Sequence, residues 1–280
     1  LLAPKLLGIS VIDAAIMGAV VAAVSPAVIV PKMLKLMEEG YGVKHSIPQL
    51  ILAGASVDDV FVIVMFTAFT GLAQGDGVSV GSFVGIPIGI LLAVFFKAVH
   101  IRDTSKVIIL LCVAFLLVTL EDQISSVIPF ASLIAVMTVG IALQKKREVV
   151  ARRLSVKFNK LWVAAEVLLF VLVGASVDLS YAVSAGFFAI LLIFGALLFR
   201  MVGVWVCLLK TTLTSKERLF CMIAYTPKAT VQAAIGGVPL AMGLSCGNLV
   251  LTVAVTAILL TAPLGAFCID WTYKKLLNQA

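Results

Sequence analysis

The chain has 280 residues, of which 62% are hydrophobic and 12% are charged, and its mean hydropathy is +1.19. These values lie far outside the average of soluble domains, so they exclude a soluble globular protein and predict a polytopic, all-α membrane protein. The net charge of +7 resides in basic residues between the apolar runs, which indicates membrane orientation and not a nucleic-acid partner.

Apolar runs of membrane-spanning length recur along the whole chain, because about 20 apolar residues at ~1.5 Å each cross the hydrocarbon core. We expect about nine spans, at residues 8–31, 47–71, 82–101, 107–121, 129–144, 161–178, 182–208, 219–243 and 247–269. The fourth and fifth are short, and the residues between them could instead form the turn of a re-entrant hairpin, although their lengths favour two spans. Because the chain starts at Leu1 without Met, we also expect a missing N-terminal part.

The first and eighth spans are predicted to be broken helices. The first contains SPAVIVP, with Ser25 and Pro26, and the eighth contains TPKATVQAAIGG, with Thr226 and Pro227. Proline removes a backbone N–H and disfavours helix at the preceding residue. Two matched breaks in spans of opposite direction are typical of an inverted-repeat transporter, in which the broken helices cross beside the substrate site. The alternative is that each proline merely kinks its helix.

Loop charge predicts the orientation. Residues 145–160 carry seven Lys/Arg and one Glu, and the other basic loops fall on the same side of the membrane. Basic loops are usually cytoplasmic, so we expect a multi-pass protein of a bacterial-type plasma membrane with its C-terminus in the cytoplasm. The run at 145–160 could alternatively bind anionic lipid or a regulator.

Four charged side chains are predicted to lie deep in the membrane. Asp58 and Asp59 are about 17 Å from the cytoplasmic end of the second span, whereas Arg200 and Lys228 are about 13 Å deep. Buried charges are costly and usually mark an ion pathway. Adjacent helix residues point ~100° apart, so one Asp can pair with Arg200 while the other faces a cavity. Lys228, beside Pro227, is expected to neutralise the carbonyl end of a broken helix.

The sequence resembles the cation:proton antiporters, and ASVDDV, SPAVIVP and TPKATVQAAIGG are most similar to their NHA branch. The resemblance covers residues 1–280 as a single transmembrane exchanger domain. It implies exchange of Na⁺ or Li⁺ for H⁺ by alternating access, with Asp59 as the ion- and proton-binding carboxylate and Asp58 as the partner of Arg200. It also implies a homodimer in the lipid bilayer and several further N-terminal spans. Many relatives have Lys at the Arg200 position, and Arg does not deprotonate, so Arg200 is not expected to carry a proton.

Other function classes fit the residues less well. A sodium-coupled organic-solute symporter also has crossed broken helices, but it would use neutral sodium sites. A potassium-efflux channel would carry a nucleotide-binding domain. An intramembrane aspartyl protease needs its two aspartates on different helices, so adjacent Asp58 and Asp59 argue against an enzyme. No cofactor motif or metal-binding cluster is recognisable in the sequence, and we expect no cofactor and no metal other than the transported cation.

Overall fold

The computed structural model describes residues 2–75, 81–99, 101–124, 132–175 and 179–279. The described part of the chain forms helices and contains no strand, in agreement with the predicted all-α class. Its thirteen helices are α1 Leu2–Leu7, α2 Val11–Ala22, α3 Pro26–Glu38, α4 Ile47–Gln74, α5 Gly81–Ala98, α6 Asp103–Ile124, α7 Ser132–Lys146, α8 Glu148–Ala175, α9 Leu179–Leu208, α10 Ser215–Ala224, α11 Thr230–Gly236, α12 Val238–Ala241 and α13 Gly247–Leu276.

Six described segments are long and apolar enough to cross a membrane: Val11–Glu38, Ile47–Gln74, Asp103–Glu121, Glu148–Ala175, Gly186–Leu208 and Gly247–Leu276. Two shorter apolar segments, Gly85–Ala98 and Thr230–Ala241, coincide with the third and eighth predicted spans. The remaining predicted span, residues 129–144, corresponds to α7. The protein is therefore a multi-pass membrane protein.

The basic stretch 145–160 was expected to be a loop, and this expectation is wrong. Helix α7 continues to Lys146 and α8 starts at Glu148, so the stretch is almost entirely helical. Lys and Arg are good helix formers. The Glu148 carboxylate also lies 2.7 Å from Arg152 Nη2 one turn later, in an i,i+4 pair that supports the first turns of α8.

The chain divides into two compact units, and Leu1–Val62 with Leu169–Ala280 form the first. Helix α13 lies at its centre and contacts α2, α3 and α9 to α12. The C-terminal residues are tied to the α3–α4 connection, because the Gly42 N–H donates to the Asn278 carbonyl at 2.9 Å and Tyr41 forms a β-bridge with Gln279. The Tyr273 hydroxyl also donates to Glu39 at 2.9 Å, and Lys32 pairs with Asp270.

A capping box starts α10 within this first unit. The Thr214 hydroxyl accepts from the Glu217 N–H, and the Thr214 N–H donates to the Glu217 carboxylate at 2.7 Å. His45 Nδ1 lies 2.8 Å from the same carboxylate. Burial raises the pKa of Glu217, but hydrogen bonds from the Thr214 backbone, His45 and the Thr214 side chain outweigh burial and hold the pKa below its ordinary value.

The second unit comprises Ile63–Leu168. Its main contact joins α5 and α7, where Gly85 and Gly89 let the two backbones approach closely. A Cβ added at Gly89 would lie 2.7 Å from the Val139 carbonyl oxygen. Small residues one turn apart commonly produce such close packing between membrane helices.

Candidate functional site

Two helix breaks lie in the first unit. Helix α2 ends at Ala22 and α3 begins at Pro26, and Ser25 between them has an extended backbone (φ −89°, ψ 108°). Helix α10 ends at Ala224 and α11 begins at Thr230, with Pro227 in the intervening segment. Proline disfavours helical geometry at the residue before it. The prediction of two discontinuous helices is confirmed.

The two breaks touch each other. The Ser25 N–H donates to the Pro227 carbonyl at 3.0 Å, which satisfies two of the backbone groups that the breaks leave without helical partners. Gly265 of α13 lies directly against Pro227, since a Cβ at Gly265 would be 2.5 Å from Pro227 Cγ. The broken helices therefore cross at Ser25 and Pro227, held against α13.

Asp58 is bound to the first break. Its Oδ2 accepts from the Val24 N–H at 2.9 Å and from Arg200 Nη2 at 2.8 Å. Arg200 Nη1 also donates to the Ala22 carbonyl, and the guanidinium carbon lies 5.5 Å from the ring centre of Tyr225. The structure thus brings Asp58 and Arg200 together, as their sequence depths indicated.

Lys228 lies at the same break. Its side chain is 2% exposed, and Nζ donates to the Ala22 carbonyl at 2.7 Å. The ammonium follows Pro227 in sequence, yet it reaches the C-terminal end of α2, on the other broken helix. Two cations, Lys228 and Arg200, therefore meet the partial negative charge at the end of α2.

Asp59 differs from its neighbour. It is half-buried, and its Oδ1 has no hydrogen-bond partner in the described part of the chain. A carboxylate oxygen that is buried and unpaired is costly, so such an atom is suited to receive a proton or a cation. Of the two aspartates, Asp58 is held by a backbone N–H and a guanidinium, and Asp59 retains an acceptor for a ligand.

A family model described as the transmembrane sodium/hydrogen exchanger matches residues 1–275. The chain belongs to this family.

Curated relatives include sodium/hydrogen exchanger 9B2 of Mus musculus, which is 32% identical over 289 residues that cover 95% of this chain and 52% of the relative. The corresponding protein of Homo sapiens is 32% identical over 303 residues, 100% of this chain and 56% of the relative. Sodium/hydrogen exchanger 9B1 of Macaca fascicularis is 31% identical over 288 residues, 94% of this chain and 55% of the relative. The chain spans about half the length of these proteins.

The fold is similar to that of the sodium proton antiporter MjNhaP1 from Methanocaldococcus jannaschii. The TM-score is 0.76 at 20% sequence identity, and the match covers 98% of this chain and 73% of that one. Paired broken helices near the bilayer midplane are a feature of inverted-repeat transporters. In this exchanger-family chain each broken helix is followed by an unbroken one, α4 of 28 residues and α13 of 30.

The matched Ser–Pro and Thr–Pro pairs behave differently in the structure. Ser25 is fully buried, and its Oγ has no partner among the described residues and does not cap α3. The Thr226 hydroxyl donates to the Ile223 carbonyl at 2.8 Å, so it caps its own half-helix. The similar sequence patterns mark both breaks but do not give the two hydroxyls one role.

Two residues of the candidate site, Tyr225 and Gln232, were not predicted from the sequence. The Tyr225 hydroxyl donates to the Ile51 carbonyl of α4 at 3.2 Å while its ring faces Arg200. Gln232 is fully buried, and its Nε2 donates to the carbonyls of Val20 and Ala23. A polar residue within an apolar run was the available signal for Gln232, but its partners are more than 200 positions away in sequence.

A cavity of about 470 Å³ adjoins α2, with Arg200 and Lys228 in its wall. The other lining residues are apolar and come from α1, α2 and α9. A hard monovalent cation needs oxygen ligands, and none of the side chains in this lining carries an oxygen atom. This cavity is therefore not the place for a cation, and Asp59 is not among the residues that line it.

Proposed function

We propose that the protein exchanges Na⁺ or Li⁺ for H⁺ across a membrane by alternating access, with Asp59 as the carboxylate that binds either ion. Support comes from the family, from relatives named sodium/hydrogen exchangers and from the antiporter-like fold. The main support is that the two aspartates differ in their hydrogen-bond partners. Asp58 is bound by Arg200 and the Val24 N–H, whereas Asp59 Oδ1 has no partner in the described part.

One carboxylate that binds a proton or a cation, but not both, is sufficient for exchange. A proton on Asp59 removes the negative charge that attracts the cation, and a bound cation opposes protonation. If each form moves between the two sides of the membrane, outward movement of one ion drives inward movement of the other. Arg200 and Lys228 contribute by holding the first break, and Arg200 takes no part in proton transfer because guanidinium does not deprotonate.

The proposal extends to membrane placement and assembly. Basic residues in the 145–160 stretch favour the cytoplasmic side of a plasma membrane, and the C-terminus would then lie on that side. The bacterial type of that membrane stays a prediction, since the relatives named above come from vertebrates. A homodimer is likewise a prediction that follows from the family resemblance.

The test is Asp59→Asn in the complete gene product. Inside-out vesicles acidified by respiration should lose their proton gradient on addition of NaCl or LiCl when they contain the wild-type protein. The Asn variant should show no such response, although its amount in the membrane and its elution from a sizing column remain normal.

Asp13→Asn is the matched control. Asp13 is an acidic residue at the start of α2, in a different apolar span from Asp59. Its N–H donates to the Ser10 hydroxyl oxygen, and its carboxylate accepts from the same hydroxyl. This variant should exchange at the wild-type rate. Wild-type exchange by Asp59→Asn would remove Asp59 from the mechanism, and sodium-driven uptake of an organic solute by the wild type would favour the symporter class.

A further inference from the structure

Gln232 is an uncharged polar residue that contacts the first break. Its amide nitrogen donates to the Ala23 carbonyl at 2.7 Å and to the Val20 carbonyl at 3.2 Å. Both acceptors belong to the end of α2, where carbonyls lack helical partners. The nitrogen must face them, because an amide oxygen in that place would oppose two carbonyl oxygens. Gln232 thus links α11 to α2, one half of each broken helix.

The Ala23 carbonyl belongs to the same peptide group as the Val24 N–H. Gln232 therefore binds the oxygen of this peptide, and Asp58 Oδ2 binds its N–H at 2.9 Å. A peptide group is planar, so fixing the oxygen also fixes the direction of the N–H. We infer that Gln232 is a positioning residue for ion exchange, which acts through the Ala23–Val24 peptide to hold Asp58 in place.

The effect on exchange follows from the neighbours of Asp58, and it rests on the proposed function of Asp59. Arg200 Nη2 donates to the same Asp58 oxygen at 2.8 Å, and Asp59 is the adjacent residue. If the peptide rotates and the Val24 N–H leaves Asp58, the guanidinium loses its fixed partner and can approach Asp59. Arg200 would then compete with the cation for that carboxylate.

Only a neutral donor suits this position. A glutamate would place a carboxylate against two carbonyl oxygens in a fully buried site, which is unfavourable, and a lysine would add a third cation beside Arg200 and Lys228. Gln232 supplies two hydrogen bonds without changing the charge at the break. This is a different role from that of Lys228, whose ammonium meets the Ala22 carbonyl.

The first experiment is Gln232→Met, which preserves length and removes the donor. In vesicles with the complete gene product, the apparent KM for Na⁺ should rise about three- to tenfold, the effect of one weakened hydrogen bond to a charged group. The rate at saturating Na⁺ should change less than about twofold, because the added competition is overcome by cation. A loss of rate with unchanged KM would mean a merely structural role and would overturn the proposal.

Thr252→Val is the matched control, since it removes a buried hydroxyl that donates to the Asn248 carbonyl within its own helix, α13. It should leave the KM unchanged. Gln232→Asn retains the amide on a shorter side chain and should give a smaller rise in KM than Gln232→Met. Failure of both Gln232 variants to fold would also overturn the inference, because a positioning role requires a folded protein with altered exchange.

A second measurement does not depend on transport. We expect the changes in Tm of Asp58→Asn, Gln232→Met and the double variant, measured in detergent, to be non-additive. The two side chains do not bond each other, but both bind the Ala23–Val24 peptide group. Strictly additive shifts in Tm would contradict the link. If the wild type shows no exchange but the shifts are non-additive, the proposed function fails while the structural link through the peptide stands.

Discussion

The two breaks of the crossing are stabilised in different ways. At the first, the carbonyls at the end of α2 receive donors from Arg200, Lys228 and Gln232, all at least 178 residues away in sequence. At the second, the end of α10 is closed locally, by the N–H and hydroxyl of Thr226 on the Ile223 carbonyl. The end of α2 therefore depends on distant donors, whereas the end of α10 is closed by a residue that directly follows it. Substitutions of distant donors should consequently disturb the first break far more than local changes disturb the second.

The largest effect on stability is expected from Arg200. Arg200→Ala leaves Asp58 without its cation, and the cost should be about 2–3 kcal/mol, below the usual range for buried pairs because the two side chains are 18% and 19% exposed. Asp58→Asn should also destabilise the protein, and the double variant should lose less than the sum of the two. Thermal or denaturant unfolding of the purified protein checks this, and strict additivity would show that the pair contributes no coupling.

Lys228 and Thr226 compare the two breaks directly. Lys228→Met removes a buried cation that contacts α2, and it should lower Tm clearly more than Thr226→Val, which removes one local hydrogen bond worth about 1 kcal/mol. Met has about the length of Lys, and Val has the shape of Thr, so each variant removes the donor with little change in packing. Equal losses of Tm would contradict the view that the end of α2 depends on distant donors more than the end of α10 does.

Beyond the end of α10, the second break also makes distant contacts, with Ser25 and with α13. Gly265→Ala would place a Cβ 2.5 Å from Pro227 Cγ, and relief of the clash should cost about 1–3 kcal/mol. Gly203→Ala in α9 is the control, since a Cβ there meets no atom within 4 Å, and it should be neutral or slightly stabilising. An unchanged Tm for Gly265→Ala would show that the crossing can shift away from α13.

The smallest effect is expected from Glu217, at the start of α10. Its pKa is held low in the folded protein, so its contribution to stability is present above the unfolded value of about 4.3 and is lost as pH falls through the folded value. Glu217→Gln should therefore lower Tm at pH 7, and the difference from wild type should shrink as pH falls below about 4. A difference that stays constant with pH would contradict the role assigned to the carboxylate.

The breaks and the Asp58–Arg200 contact were predictable because proline disfavours helix at the residue before it and because buried charges need partners at a similar depth. The hydrogen-bond acceptor of Lys228 could not be predicted, because the carbonyl that it contacts is 206 positions away and on the other broken helix. Tyr225 and Gln232 escaped notice for the same reason. A side chain type shows that a hydrogen bond is needed, but not which backbone group supplies it. The helical form of residues 145–160 was not predicted, because a run of basic residues is compatible both with a loop and with the end of a helix.

The bridge between Tyr41 and Gln279 has a practical consequence for labelling the protein. Asn278 and Gln279 form hydrogen bonds with Gly42, Tyr41 and Glu39, so a fluorescent protein or affinity peptide inserted next to them would strain the connection between α3 and α4. Helix α3 runs from the first break to this connection, so the two are joined by one continuous helix. A flexible spacer of glycine and serine should separate any such label from Gln279, because a label attached without one would alter the site that it is meant to report on.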